Sequence, residues 1–350
     1  MEKIEPKNIS FDVKHEELRK VYGNFNWNAI NNPLLQKTWW QYGGQSKYSD
    51  NSYSFIIKDI DNKDISKKHI DSIKDVLTDI FGLSEKTIFG DKLKEACLGN
   101  GDEARKITTV HSSSLCALLF FYKVSESNPI ILDINNEKIK FTNVFFEFKN
   151  VCIEGRYPSN IDILLVSKDT KTVLMLESKF AEYLSLSKAL NISNAYLDIE
   201  KCPIGNRIYT QENIKKIFGD NSFLKNDPPN KEFSIKTNSY AYIDGIKQMI
   251  SHFICAVNLS NHKYYDKRSE KIAQNAEHIY LGTILFDFPN ESDALNNYEE
   301  LYSRFCNVIN SEFKEKVKLL SKPLHYSEYA KQNKNDIDLQ VYQFYLSRTN

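Results

Sequence analysis

Two apolar runs between residues 161 and 176 dominate the hydrophobic pattern. The first, Ile161-Asp162-Ile163-Leu164-Leu165-Val166, is broken by one acid; the second, Val173-Leu174-Met175-Leu176, ends in Glu177-Ser178-Lys179. Strands covered on both faces read as near-continuous apolar runs without alternation. Two buried strands are therefore expected, joined by a polar turn around Lys168-Asp169-Thr170. Upstream, His111-Ser112-Ser113-Ser114 precedes an apolar segment at 115–124, which reads as a buried helix opened by a serine cap. Segments 129–133 and 140–149 read as strands about an Asn-Asn turn at 135–136. Downstream, 240–259 is predicted helical, with Ile243, Ile246, Ile250, Phe253 and Ile254 on its apolar face. A further buried strand is predicted at 280–288, and helices at 298–309 and 313–320.

The first hundred residues have mixed character. Helical periodicity covers 14–22 and, more regularly, 65–81, and a strand is expected at 53–60. Trp39 and Trp40 read first as core residues, although aromatics of this kind also stack on bases. A glycine-rich break, Gly99-Asn100-Gly101-Asp102-Glu103, separates this region from the rest of the chain. The stretch 181–238 is long and polar, carries three prolines and one short helical piece at 210–218, and contains more cations than acids. It reads equally as a recognition or lid insertion and as a solvated excursion. The expected organisation is an N-terminal extension (1–98) of mixed α/β character, a catalytic-type domain (99–330) with an insertion at 181–238, and a polar tail (331–350). The order of helices and strands predicts an α/β fold, a central mixed sheet flanked by helices.

Composition narrows the partners. The chain has 350 residues, enough for one large domain or two ordinary ones, and its 41% hydrophobic content is that of a folded protein. Lys plus Arg equals Asp plus Glu at 46 each, which excludes a generally basic nucleic-acid coat but not a local basic groove. No apolar stretch reaches membrane-spanning length, and the first residues lack a signal-peptide core, so a cytoplasmic location without membrane association is expected. Six scattered cysteines without a Cys-x-x-Cys read as reduced, mostly buried thiols. Histidine spacing offers no zinc site.

The chemistry concentrates at the ends of the two central strands. A carboxylate inside one and a carboxylate with an ammonium ending the other are costly to bury unless they meet each other or a metal. Glu177 and Lys179, two apart, leave the strand on one face, with Ser178 opposite. Acid-x-Lys tripeptides are frequent in this lysine-rich chain, so context decides. Two sets have an acid on one strand and acid-x-Lys on the next: Asp162 with Glu177-Ser178-Lys179, and Asp133 with Glu147-Phe148-Lys149. The first is preferred for its more uniformly apolar strands. Gln248 and His252, four apart, share a flank of the predicted helix. Structural alternatives stand beside each of these: Glu147 paired with Lys149 or Arg156, Glu103 as a helix-leading acid, His252 as a satisfied helix histidine, and Glu182 as a solvated flank.

This constellation resembles the PD-(D/E)XK nuclease superfamily, with Pro158-Ser159-Asn160-Ile161-Asp162 as a spread form of its Pro-Asp half. More narrowly, an ordered set of segments over about 99–330 is similar to a little-characterised bacterial branch of restriction-endonuclease-like proteins. These are Gly99-x-Gly101-x-Glu103 before His111-Ser112-Ser113, Phe146-Glu147 before Gly155-x-x-Pro158-x-Asn160-Ile161-Asp162, Glu177-Ser178-Lys179-Phe180-Ala181-Glu182, and Gln248-x-x-x-His252. Leu118-Leu119 departs from that branch, which often carries an Asn after the serine-led helix.

The resemblance implies a restriction-endonuclease-like core (αβββαβ) and Mg²⁺-dependent hydrolysis of DNA phosphodiesters, with Mn²⁺ able to stand in, in restriction or another defence against foreign DNA. Asp162, Glu177 and the Ser178 backbone carbonyl would hold the metal. Lys179 would position and help deprotonate the attacking water and stabilise transition-state charge. Glu147 and Gln248 would assist, with Glu103 and His252 as weaker candidates. DNA contact would fall to Lys215 and Lys216 in the insertion and to Lys263, Lys267 and Arg268 in a basic loop. A homodimer and a companion methyltransferase or defence protein are the implied partners. Two alternatives carry over: a silent nucleic-acid-binding or assembly module on the same fold, and an RNA or repair nuclease with the same site.

Overall fold

The computed structural model describes residues 83, 85–97, 112–156, 158–180, 182–184, 187–227, 232–287, 292–313 and 316–333, with Lys74 and Thr78. The expected elements at 14–22 and 53–60, nearly all of that at 65–81, the Trp39-Trp40 pair and Glu103 lie outside these residues.

Among the described residues, seven strands form one mixed, curled sheet. Strand β1 (Ile130–Ile134) pairs antiparallel with β2 (Glu137–Asn150), β2 with β3 (Ser159–Ser167), and β3 with β4 (Thr172–Lys179). Strand β8 (His278–Leu285) lies parallel to β4, and two short strands, β9 (Val317–Leu319) and β10 (Leu324–His325), lie parallel to β8. The β1–β2 connection is the two-residue Asn135-Asn136 turn, both residues at positive φ (52° and 71°), which matches the right-handed twist of the flanking strands. The β3–β4 turn is closed by Asp169, whose Oδ1 accepts from the Ser167 hydroxyl at 2.5 Å and from the Lys171 N–H at 3.1 Å. The sheet curls until its far edge returns to the first hairpin: Asn135 donates to the Leu319 carbonyl and accepts from the Ser321 N–H.

Helices cover both faces of β3 and β4, which is why their apolar runs do not alternate. On one face lies α2 (Ser113–Phe121), capped by Ser112, whose Oγ accepts from the Leu115 N–H at 3.0 Å. It is buried throughout Leu115–Phe121, because α1 (Lys86–Ala96), the concave sheet and α8 (Tyr326–Asn333) enclose it. On the other face lies α5 (Ile243–Ser260), whose Met249 sulfur accepts from the Thr283 hydroxyl on β8. This helix starts three residues later than its apolar periodicity predicts, because Tyr240 and Ala241 end a strand.

Two expectations are corrected. Residues 181–238 are neither a bare excursion nor a loop with one helix. They build a three-stranded antiparallel sheet from β5 (Ser187–Ser193), β6 (Phe223–Asp227) and β7 (Glu232–Ala241), with helices α3 (Pro203–Ile208) and α4 (Gln211–Phe218) between strands. The predicted helix at 313–320 is instead β9, in which Val317 and Leu319 are buried and Lys318 is exposed. Its alternation is satisfied by pairing with β8, a partner distant in sequence. The remaining long helix, α7 (Ser292–Glu312), packs on α4.

Gly245, in the first turn of α5, shows how closely the site's surroundings are fitted. A Cβ there would stand 2.4 Å from the Tyr242 ring and 2.9 Å from the Tyr298 ring. Gly245→Ala is expected to cost about 1–3 kcal/mol by overpacking, read as a lower midpoint in urea. A midpoint unchanged from wild type would show that Tyr242 moves aside freely.

Candidate active site

The β3–β4 register sets the geometry. Ile163 pairs with Leu176, so the next step along the ladder puts Asp162 across from Glu177 on one face of the sheet. Beyond that pair, the Ser178 N–H donates to Asp162 Oδ2 at 2.8 Å. The N–H and C=O of a strand residue point to the same side, so the Ser178 carbonyl also faces the β3 side, at Asp162. The alternation holds at Lys179, whose carbonyl points the other way and accepts from the Phe286 N–H after β8. The Ser178 side chain turns to the opposite face, where its hydroxyl donates to the Ser113 carbonyl and hydrogen-bonds with Tyr326. A side chain larger than serine would collide with the start of α2.

Glu177 is the hub. It is 3% exposed, and Lys179 Nζ donates to its Oε1 at 2.5 Å. His252, on the facing helix α5, meets its Oε2 at 2.5 Å, and the other ring nitrogen of His252 hydrogen-bonds with the Ser159 hydroxyl at 3.2 Å. Burial works against the charge on Glu177, but Lys179 and His252 outweigh it and hold the carboxyl down at about 2. Because Glu177 is ionised, the His252 Nε2 must carry the proton of their hydrogen bond. Asp162 goes the other way: burial, then the charge of Glu177, push its carboxyl well above the ordinary range. Burial opposes the charge of Lys179 too, but Glu177, Tyr242, Glu182 and Asp162 together hold the ammonium well above the ordinary lysine value.

The structure brings some predicted residues together and separates others. Asp162, Glu177, Ser178, Lys179 and His252 converge. Glu182 joins them as more than a flank: its carboxylate accepts from the Phe180 N–H at 2.7 Å and its charge reaches Lys179. Tyr242, which sequence reasoning missed, also bears on Lys179; its only signal was a place at the start of the α5 pattern. Gln248 stands one turn before His252, with its buried Oε1 lacking a hydrogen-bond partner; Lys179 is held by Glu177 instead. Asn160, two residues before Asp162 and so on its face, likewise has a buried Oδ1 without a partner.

Glu147 occupies the register position facing Asp162, between the Phe146–Ile163 and Phe148–Ile161 pairs, but with φ of 48° it breaks the pleat. Its charge is felt at Cys97, whose thiol is pushed up to about 12, first by burial and then by Glu147. The charges that bear most on Asp162 are Glu177, Lys179 and Glu182. The rival set with Asp133 is taken apart, since Asp133 is exposed and pairs in register with Lys138 at the far end of β2 from Glu147.

The basic residues are partly engaged elsewhere. Lys267 and Arg268 are not in a loop but open α6 (Lys267–Asn275), capped by Asp266. Arg268 donates to Glu95 at 2.7 Å and lies over the Phe145 ring, bracing α6 against α1 and β2. Lys216 pairs with Glu312 and Glu212, and Lys263 lies 3.9 Å from Glu154. Lys215 and Lys267 are exposed and hold no ion pair among the described residues.

The oxygen donors at the site are the Asp162 and Glu177 carboxylates and the Ser178 carbonyl, and both Glu177 oxygens already accept from Lys179 and His252. Among the described residues no three His, Cys, Asp or Glu side chains form a metal-holding cluster. A cation bound here would take its side-chain ligands from the two carboxylates, Asp162 and Glu177, with the Ser178 carbonyl beside them. That set, completed by water and substrate oxygen, suits Mg²⁺ and does not suit zinc. Among the described residues no helix is long and apolar enough to cross a membrane. No known protein family, no characterised protein and no solved structure matches this chain.

Proposed function

We propose that this chain is a Mg²⁺-dependent endonuclease that hydrolyses DNA phosphodiester bonds. One observation carries the reading: Asp162, Glu177 and Lys179 converge at one end of the sheet, with the Ser178 amide on Asp162 and its carbonyl beside them. The reading is supported by the element order α2, β2, β3, β4, α5, β8, with β8 parallel to β4, which has the αβββαβ sequence that the resemblance implies once β1, the second sheet and α6 are set aside. Asp162, Glu177 and the Ser178 carbonyl would hold the ion, which supplies Lewis-acid polarisation of a phosphoryl oxygen and a more acidic bound water.

Lys179 then acts as a cation. Glu177 holds it as an ammonium, so it donates a hydrogen bond to the attacking water and stabilises charge developing on the phosphoryl group. Glu177 keeps that ammonium in place, and His252, anchored by Ser159, keeps Glu177 in place. Restriction or defence, a dimer for double-strand cutting and a companion methyltransferase belong to this reading as consequences of the family resemblance.

Incubation of the chain with plasmid and linear unmethylated DNA, in Mg²⁺ and in EDTA, tests it. Cutting in Mg²⁺ and none in EDTA is expected. A second reading, a nucleic-acid-binding module with the site kept as a buried ion-pair network, has one observation in its favour. Both Glu177 oxygens already accept a hydrogen bond within the protein. DNA retardation without cutting under any divalent ion would favour that reading and overturn the first.

The DNA contact is testable separately. Lys267→Glu is expected to weaken DNA binding and to lower the slope of log affinity against log salt by about 1 or more. Arg268→Glu breaks the Glu95 bridge as well, so its effect should include a loss of thermal stability. An unchanged salt slope in Lys267→Glu removes α6 from the DNA-binding surface.

A further inference from the structure

The second sheet has one face on the core and one in solvent. Leu190 and Ile192 of β5, Leu224 of β6 and Ile235 of β7 turn inward and pack on the core. The alternate positions turn outward, and the register aligns them in rows: Ala189, Lys236 and Phe223 in one, Asn191, Ser234 and Lys225 in the next. Phe223 is thus an aromatic on the solvent side, 45% exposed, with Lys236 directly opposite it and Lys225 two residues along. The other members of these rows are small, which leaves room beside the ring for a flat partner.

This sheet leads to the candidate active site. Strand β5 follows Glu182 and β7 runs into Tyr242, and both of those groups bear on Lys179. Lys236 is six residues before Tyr242, so at about 3.3 Å per residue the Phe223 row lies at most about 20 Å from it along the strand. Between them an aromatic and a cation meet again: Tyr240 is 64% exposed, and Lys188 Nζ stands 4.6 Å over its ring. Among the described residues Lys188, Lys225 and Lys236 enter no ion pair, unlike Lys216, Lys263 and Arg268. The two acids of the three strands, Asp227 and Glu232, oppose each other in register at the hairpin end, away from the site.

We propose that the outer face of this sheet binds an unpaired stretch of the DNA strand entering the site, with Phe223 stacked on a base and Lys225, Lys236 and Lys188 on the phosphates. As a substrate track it rests on the nuclease reading above. A base in a duplex has both faces stacked within the helix, so a ring on an open sheet meets a base face where the strand is unpaired. Every base offers a π-face, which makes such a contact tolerant of sequence, while the flanking cations follow the backbone. Cations and acids are equal in number over the whole chain, so any grip on a polyanion has to be local. Three cations without acid partners, around two exposed aromatics, supply it.

Anisotropy of fluorescent oligonucleotides with the full chain in EDTA tests this without cleavage. The probes are a mixed-sequence single strand, its duplex and an abasic strand of the same length. The single strand is expected to bind about tenfold tighter than the abasic strand, and tighter than the duplex. Phe223→Leu, which keeps apolar bulk but loses the flat ring, should erase that advantage, and Phe223→Trp should retain it. Changing Lys225 and Lys236 together to Gln should lower the slope of log affinity against log salt by about 1.4, from two lost phosphate contacts. Equal affinity for the single and abasic strands, preference for the duplex, or wild-type binding by Phe223→Leu overturns the proposal. The comparison of the three probes on wild type decides even if a variant folds poorly. A chain that binds the single strand in this way but never cuts DNA in Mg²⁺ upholds the sheet's role in binding and overturns the nuclease reading. One that cuts but shows no preference for bases does the reverse.

Discussion

Lys179→Met and Asp162→Asn are each expected to lower Mg²⁺-dependent DNA cleavage by about 10²–10⁴-fold, while moving stability in opposite directions. Lys179→Met removes the ammonium that Glu177 holds at 2.5 Å, leaving nothing at that position to orient water or meet phosphoryl charge. Glu177 retains His252, so the fold should lose only about 1–3 kcal/mol. Asp162→Asn keeps an oxygen to accept the Ser178 N–H but removes the charge that burial and Glu177 disfavour. The folded state holds the Asp162 proton more tightly than the unfolded chain, so ionisation at neutral pH costs stability. The asparagine protein should therefore be more stable at pH 7 by about 1 kcal/mol, a trade of stability for activity common at active sites. Single-turnover cleavage and urea melts in EDTA measure the two quantities. Full cleavage by either variant would remove these residues from the chemistry. A less stable Asp162→Asn would mean that the two facing carboxylates do not oppose each other.

Glu177→Ala should produce the largest loss of stability, about 3–5 kcal/mol, because it strands two buried groups at once. Lys179 is 5% and His252 4% exposed, and both lose the carboxylate they share. The same link predicts an acid limb. The Glu177 carboxyl is depressed from the ordinary 4.5 to about 2, so its contribution is complete above 4.5 and is lost as pH falls toward 2. Wild-type stability should drop through that window, and Glu177→Gln should flatten the drop. Urea midpoints from pH 2 to 7 test both. Equal slopes for wild type and Glu177→Gln would mean that Glu177 is not the group responsible.

Much of the frame was legible because its signals are local. The uninterrupted apolar runs of β3 and β4 reflect two covered faces, Ser112 marks the start of α2, and Asn135-Asn136 supplies the two positive-φ residues that a short hairpin turn needs. The second sheet was not legible: in β5 and β7 polar and half-exposed positions prevail, and each strand exists only because the other pairs with it. The three residues of β9 are too few to display a period. His252 was read as a satisfied histidine, and it is satisfied, but its partner is Glu177, on a strand 75 positions away in sequence. Arg268, read from the sequence as a phosphate contact, also bridges to Glu95, which lies 173 positions away and has no local signal.

By itself the sequence determined which residues had to be buried, where the central strands turn, and that an acid interrupts one strand while an acid and a lysine end the next. Tertiary structure decided the rest. The β3–β4 register set Asp162 against Glu177, and the seating of α5 on the sheet delivered His252 to Glu177. The fit of β2 turned Glu147 out of the pleat. Burial patterns follow from side-chain chemistry read a few residues at a time, whereas the meeting of charges depends on registers and helix placements set by packing across the whole core.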